Sequence, residues 1–221
     1  MLPNEHMAPE ASGERLSIVR KPSPHDSARL HVRGVAPYID DILEPAGTLH
    51  VAPGLANVAS GTITKIDLDA VRAAPGVVAV LTPTDIPGKN DVAPAFGDDP
   101  LFAEKEVVFA GQVIFAVVAR TRDEARRAAK LARVEITPSK PLLTIEDALA
   151  ADAKVLPDYD FNRGDPAAAV KAAPLKLEGQ LRIGGQEHFY LEGQAALAVP
   201  GEAGEILVHS STQDPTEVQH V

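Results

Sequence analysis

A strand, a helix and a second strand follow one another closely between residues 106 and 137. The run VIFAVVA contains no charged residue and is rich in β-branched side chains, which predicts a strand buried on both faces. Thr121 with Glu124 three residues later forms a capping box, which predicts that a helix starts there. Four small residues then share one face of that helix: Ala125, Ala128, Ala129 and Ala132. We therefore expect a helix that lies close against a sheet.

Further short elements alternate around this unit. Strands are predicted at 47–53, 60–67, 77–82 and 133–137, and EVVFAGQVIFAVVA over 106–119 predicts two strand segments hinged at Gly111. A helix over 68–76 can be capped by Asp67 and ended by Pro75-Gly76, and a second begins with Thr144 and Asp147. The run VVAVLT at 77–82 is expected to be a buried strand. Because the elements mix without a strict βαβ repeat, the predicted fold class is α+β.

The chain divides by composition into four parts. Residues 1 to about 25 are predicted to be a mobile arm, the alternating elements up to about 150 an α+β unit, 151–174 a linker or a marginal helix, and 175–221 a region of extended segments. Turn residues in PGEAGE separate the last two extended segments and predict a hairpin. The proline-rich loop over 82–100 is either functional or a solvated connection.

Charge and cysteine content exclude several classes of protein. Lys plus Arg number 21 and Asp plus Glu number 31, so the net charge is −10, which disfavours nucleic acid and anionic membrane surfaces as partners. The absence of cysteine excludes disulfides, thiolate zinc sites and iron–sulfur ligation by this chain. The first residues lack the basic and apolar regions of a secretory signal, so we expect a cytoplasmic location.

Common catalytic and metal-binding motifs are not found. The sequence contains no HExxH, GxSxG, Walker A or EF-hand pattern. The histidines are dispersed with no pair four residues apart, so no metal site held by protein side chains is indicated: His6, His25, His31, His50, His188, His209 and His220. Asp40 and Asp41 are adjacent, which favours a turn or cap over a catalytic carboxylate pair.

The stretch IGGQEHFYLEGQ over 183–194 is the strongest candidate site. Gly184 and Gly185 allow a backbone path or a close ligand approach that a Cβ would block. If a strand follows, four polar groups share one face and form a pocket wall: Gln186, His188, Tyr190 and Glu192. The alternative interpretation is that His188 and Tyr190 are core residues, the glutamates are exposed and the glycines make an ordinary bulge.

These residues also carry a family resemblance. IGGQEHFYLEGQAALAVP followed by SSTQDPTEVQHV resembles the start of the molybdenum-cofactor domain of xanthine dehydrogenases and the related aldehyde oxidases. RGVAPYIDDI, GTLHVAP and the stretch from LFAEKEVVFAGQ to KLARVEI are similar to the α/β hammerhead domain that precedes it in that family. The resemblance covers residues 17–221. It implies a disordered arm over 1–16, a hammerhead domain over 17–150, a linker over 151–174 and the first strands of a truncated molybdopterin-binding domain over 175–221.

The resemblance also implies a site and a reaction. Gln186 matches the glutamine whose side-chain amide contacts the oxygen ligands of molybdenum, and Gly184 and Gly185 are further candidates for cofactor binding. The metal is held by molybdopterin with no protein ligand. The implied reaction is hydroxylation of a purine such as hypoxanthine or xanthine, and the electrons pass through 2Fe-2S clusters and FAD to NAD.

The resemblance leaves part of that machinery outside this sequence. The catalytic base of the family lies beyond Val221, so we expect no catalytic residue here and no activity of the chain alone. The expected partners are the FAD and 2Fe-2S subunit and the rest of the molybdenum subunit. Two alternatives stay open: an aldehyde oxidase of the same superfamily, and a non-catalytic α+β assembly module.

Overall fold

The computed structural model describes Val19, residues 21–93 and residues 97–220. The predicted arm over 1–16 lies outside the described residues. The chain forms two compact units. Unit 1 contains the described residues up to Leu43 together with Glu192–Ser211, and unit 2 contains Glu44–Leu191 together with the described residues from Thr212 onward.

Short helices and strands alternate along the chain. The helices are Ala28–Val32 (α1), Asp69–Arg72 (α2), Arg122–Ala129 (α3), Ile145–Ala150 (α4), Pro166–Ala172 (α5) and Pro215–His220 (α6). The strands are His50–Leu55 (β1), Gly61–Asp67 (β2), Val77–Leu81 (β3), Glu106–Val107 (β4), Val113–Ala119 (β5), Arg133–Pro138 (β6), Ala196–Pro200 (β7) and Ile206–Ser210 (β8). Short 3-10 turns cover Ile39–Asp41, Pro83–Asp85 and Glu202–Gly204. Among the described residues, no helix is both long enough and apolar enough to cross a membrane.

Unit 2 contains two antiparallel sheets. One has the strand order β1-β5-β3 and the other has the order β4-β2-β6. Every strand pair in both sheets is antiparallel. This pairing, with helices beside the sheets and no parallel βαβ unit among the described residues, confirms the predicted α+β class.

The core of unit 2 is built on β5. Ile114, Phe115 and Val117 are at most 2% exposed, so neighbouring residues on both faces of this strand are buried, as predicted. Buried and half-buried side chains from both sheets and from α3 belong to the same core: Val107, Ala128, Ile63, Val134 and Ile136. The strand VIFAVVA is therefore the centre of its sheet.

Helix α3 forms where its capping box predicts. The backbone N–H of Glu124 donates to Thr121 Oγ1 at 3.2 Å, and the Thr121 hydroxyl donates to the Glu124 carboxylate at 2.9 Å. Ala125 and Ala128 are buried and Ala129 is half-buried, which confirms the predicted small-residue face for these three residues. Ala132 lies beyond the end of the helix, so its predicted place on that face is wrong. The second predicted cap is also present, since Asp147 N–H donates to Thr144 Oγ1 at 3.0 Å at the start of α4.

The prediction that residues 77–82 form a buried strand is wrong in its burial. Strand β3 forms over Val77–Leu81, but it is an edge strand that pairs only with β5 among the described residues. Val78 is 52% exposed as a result. An uncharged β-branched run favours a strand but does not specify whether it lies at the centre or the edge of a sheet.

Gly54 on β1 lies directly against the ring of buried Phe115 on β5. A Cβ built on Gly54 would overlap that ring, so we expect Gly54→Ala to lower the free energy of unfolding by about 1–3 kcal/mol. Gly88→Ala is the matched control, because a Cβ there meets open space. Urea unfolding of both variants checks this expectation. Equal midpoints for the two variants would contradict the close approach.

The region after residue 150 departs from its predicted elements. Helix α5 forms within residues 151–174, where a linker or a marginal helix was predicted, with the N–H of Ala168 donating to the Asp165 carboxylate at 2.9 Å. The predicted strand over 175–183 and the first half of that over 187–200 have no strand structure. In unit 1, β7 and β8 pair as an antiparallel hairpin around the PGEAGE turn, as predicted.

Candidate functional site

The stretch that contains Gln186 is exposed and irregular in unit 2. Residues 184–191 belong to no helix or strand, and all of them are exposed. The side-chain amide of Gln186 makes no hydrogen bond to other described residues. Phe189 and Leu191 are 92% and 84% exposed, which is unusual for large apolar side chains in a folded domain.

The predicted strand does not form here, so the prediction of a shared polar strand face is wrong for its four residues: Gln186, His188, Tyr190 and Glu192. Phe189 adopts a positive φ of 50°, and its N–H donates to the Glu187 carboxylate at 3.2 Å. This local turn interrupts the alternation that a strand needs. The alternative interpretation is also wrong, because His188 and Tyr190 are exposed, Glu192 is half-buried, and the glycines lie in no strand that could contain a bulge.

The two glycines before Gln186 face open space. A Cβ built on Gly184 or Gly185 meets nothing within 4 Å, so no close approach by the described residues explains these glycines. Neither has the positive φ that would require glycine. The backbone of this pair is instead open to a ligand, next to an amide that can both donate and accept hydrogen bonds.

One ion pair lies just before the diglycine. Arg182 Nη1 donates to the Glu146 carboxylate of α4 at 2.9 Å. Both side chains are well exposed, at 81% and 62%, so this pair contributes little to stability. It is a weak attachment of the stretch to the rest of unit 2.

Glu192, the last acidic residue of the motif, belongs to unit 1 and bonds to a residue of the same unit that is distant in sequence. Its Oε1 accepts a hydrogen bond from the backbone N–H of Ile39 at 2.9 Å, although the residues are 153 positions apart. In the same turn, the Asp41 carboxylate accepts from the N–H of Tyr38 at 2.9 Å. The predicted capping role of the Asp40-Asp41 pair is thus confirmed for Asp41. Glu192 was predicted to line a pocket or to be exposed, and its capping role was missed.

No other group of residues in the described ranges competes with this stretch as a site. Within those ranges, no three His, Cys, Asp or Glu residues are close enough to share a metal ion. An open cleft of about 220 Å³ in unit 2 is lined mainly by apolar residues, including Leu55, Phe115 and Ile136, with Lys130 as its one charged side chain. It contains none of the residues predicted as the site.

Two family models match the chain. Residues 33–140 match the model described as the aldehyde oxidase and xanthine dehydrogenase a/b hammerhead domain. Residues 149–221 match the molybdopterin cofactor-binding domain. Gly184, Gly185 and Gln186 therefore lie within the second matched range.

Curated relatives include two xanthine dehydrogenases. The chain is 40% identical over 205 residues to xanthine dehydrogenase of Drosophila pseudoobscura pseudoobscura, and 36% identical over 203 residues to xanthine dehydrogenase/oxidase of Felis catus. Each match covers 91% of this chain. The chain spans only 15% of the length of either relative.

A solved structure shows the same fold. The aldehyde oxidoreductase from Desulfovibrio gigas matches with a TM-score of 0.69 and 29% sequence identity. The match covers 84% of this chain and 23% of that one. The chain therefore belongs to the aldehyde oxidase and xanthine dehydrogenase family, with its α/β hammerhead domain followed by the start of the molybdopterin cofactor-binding domain.

Proposed function

We propose that this chain provides part of the molybdenum site of a purine-hydroxylating enzyme of the xanthine dehydrogenase type, and that Gln186 contacts the cofactor there. One observation carries the proposal. The Gln186 amide is exposed and has no hydrogen-bond partner among the described residues, within a range that matches a molybdopterin cofactor-binding domain. The xanthine dehydrogenases among its relatives favour a purine as substrate.

The residues of this stretch fit a molybdopterin cofactor. An amide offers two N–H donors and an oxygen acceptor without a charge, so it can orient oxygen ligands of a metal without changing the net charge of the site. Gly184 and Gly185 leave their backbone groups open to a ligand. We propose that these three residues hold the cofactor, with no direct ligand from this chain to the metal.

In the proposed mechanism, the cofactor and the residues of this chain have separate roles. When bound, the molybdenum cofactor supplies the two-electron oxidation and oxygen transfer that hydroxylate the substrate carbon. Gln186 orients the cofactor by donating from Nε2, and the two glycines admit it. By the family resemblance, we place the general base of the reaction outside residues 1–221. We therefore expect the chain alone to be inactive, because a site without its base loses a large part of its rate.

The iron–sulfur clusters proposed for electron transfer need ligands that this chain does not contain. The chain contains no cysteine, so the thiolate ligands of 2Fe-2S clusters must come from elsewhere. We propose that FAD and these clusters reside on a partner subunit or on another part of the enzyme, together with the rest of the molybdenum domain. A cytoplasmic location is part of the same proposal.

Purification of the native complex through an affinity tag on this chain tests the proposal. We expect stoichiometric molybdenum, iron and flavin in the complex, and hydroxylation of hypoxanthine. The tagged chain expressed alone should contain substoichiometric molybdenum and show no turnover. A complex without molybdenum and flavin would contradict the proposal and favour the non-catalytic assembly module.

An aldehyde oxidase is the second candidate function. The likeness to the Desulfovibrio gigas aldehyde oxidoreductase favours it, because that structure matches over 84% of this chain. Initial rates of the purified complex with hypoxanthine and with an aromatic aldehyde, each over concentrations below and above its KM, separate the two candidates. A higher kcat/KM for the aldehyde would favour the second candidate and leave the proposed role of Gln186 unchanged.

A further inference from the structure

Two carboxylates cap successive backbone N–H groups in unit 1. Asp41 accepts from Tyr38 within the same turn, and Glu192 accepts from Ile39 at 2.9 Å from the other end of the chain. The turn over Ile39–Asp41 is a single 3-10 turn, whose first N–H groups have no backbone acceptor within the turn. Glu192 thus satisfies a donor that local sequence leaves unpaired.

The hydrogen bond between Glu192 and Ile39 is part-buried, so its strength depends on whether the acceptor is charged. Glu192 and Ile39 are both half-buried, whereas residues 184–191 are exposed throughout. A hydrogen bond to a charged acceptor is about twice as strong as one between neutral groups, and shielding from water strengthens it further. Among the described residues, Glu192 is therefore the first one after Gln186 whose side chain bonds to a residue distant in sequence.

We infer that Glu192 is a positioning residue, whose carboxylate fixes the end of the Gln186 stretch by holding the N–H of Ile39. The inference rests on the proposed cofactor contact of Gln186. Among the described residues, two other side-chain contacts restrain the stretch: the exposed Arg182–Glu146 ion pair before it and the local Glu187–Phe189 hydrogen bond within it. With Glu192 bonded to Ile39, residues 187–191 have one fixed end, which reduces the number of conformations open to the stretch that contains Gln186.

The absence of cysteine allows a test in the chain as it is. A nitroxide label on Leu191→Cys is site-specific, and Leu191 is exposed, so the label does not disturb packing. Amide hydrogen exchange of Ile39 is measured alongside. Glu192→Ala should speed exchange of the Ile39 N–H about tenfold, as expected for loss of a hydrogen bond to a charged group. It should also narrow the lines of the electron paramagnetic resonance spectrum, because the nitroxide at position 191 then moves faster. Glu192→Gln retains an oxygen acceptor and should restore most of both readouts.

Glu202→Ala is the matched control, because Glu202 is an exposed acid of the hairpin turn in the same unit. It should leave both readouts unchanged. An unchanged Ile39 exchange rate in Glu192→Ala would overturn the inference, as would faster exchange without any change in label mobility. In the native complex, Glu192→Ala should also lower molybdenum content, whereas Glu192→Gln should largely retain it.

These outcomes separate the inference from the proposed function. Label mobility and exchange require no molybdenum, so they report on the attachment alone. If Gln186→Ala leaves cofactor content and turnover of the complex unchanged, the proposed role of Gln186 fails even when the attachment is present. If Glu192→Ala loosens the stretch but molybdenum content and KM stay at the level of the unmodified complex, the positioning role fails and Glu192 is only a cap.

Discussion

Replacing Gln186 by Leu is expected to lower kcat/KM of the native complex about 10- to 100-fold, the usual cost of losing a group that orients a metal's ligands. Leucine has a similar size but neither donates nor accepts a hydrogen bond, so the substitution removes the proposed contact without opening a large void. Initial rates of purine hydroxylation, normalised to the molybdenum content of each preparation, measure the effect.

Gln180→Leu is the matched control for this variant. Gln180 is also an exposed glutamine, and it lies six positions before Gln186, outside the stretch over 183–194. Its replacement should leave kcat/KM within about twofold of the unmodified complex, as is usual for a surface site away from special features. A Gln186→Leu complex as active as the Gln180→Leu complex would remove the assigned role of Gln186.

Replacing Ile114 by Ala is expected to lower the free energy of unfolding by about 2–5 kcal/mol. Ile114 is 1% exposed on β5, where side chains from both sheets of unit 2 belong to one core. Truncation removes buried methylene and methyl groups and leaves a cavity that the surrounding strands cannot fully close. Urea unfolding followed by circular dichroism measures the change.

Val78→Ala provides the comparison on an exposed strand position. Val78 is 52% exposed on edge strand β3, so its truncation removes less buried area and should cost less than about 1 kcal/mol. The difference between the two variants tests whether the interior of unit 2 is as well packed around β5 as its burial indicates. Similar losses at both positions would contradict a core centred on β5.

Elements whose determinants are local could be predicted from the sequence. Helix α3 has its cap, its first-turn acids and its small-residue face within a dozen positions, and it forms where those residues indicate. The hairpin of β7 and β8 likewise follows from two apolar runs around a turn. Strand β3 was placed correctly, but its exposure depends on which strands lie beside it, and that is decided by the whole sheet.

The stretch over 175–183 shows the opposite case. Leu175, Leu177, Leu181 and Ile183 alternate with polar residues as in a half-buried strand, yet each is at least 75% exposed and no described strand pairs with them. An isolated strand is not stable, because its backbone groups need a partner. The alternation of side chains therefore predicts a strand but does not supply the partner that a strand needs.

The candidate site was only partly predictable. The diglycine and Gln186 stand out because a ligand-binding backbone and a neutral amide occur together. The Glu192–Ile39 bond joins residues 153 positions apart, and nothing near either residue indicates the other. Such long-range capping bonds can be identified only from the three-dimensional structure. The domain boundaries at 16, 150 and 174 stay predictions, as does the assignment of Gly184, Gly185 and Gln186 to the cofactor.

A crystal structure of the native complex with its molybdenum cofactor tests the central claim most directly. The distance to be measured joins Gln186 Nε2 and the nearest oxygen ligand of the metal. The account predicts a hydrogen bond of about 2.7–3.2 Å. A Gln186 side chain packed among apolar residues, or directed away from the cofactor beyond hydrogen-bonding distance, would contradict it.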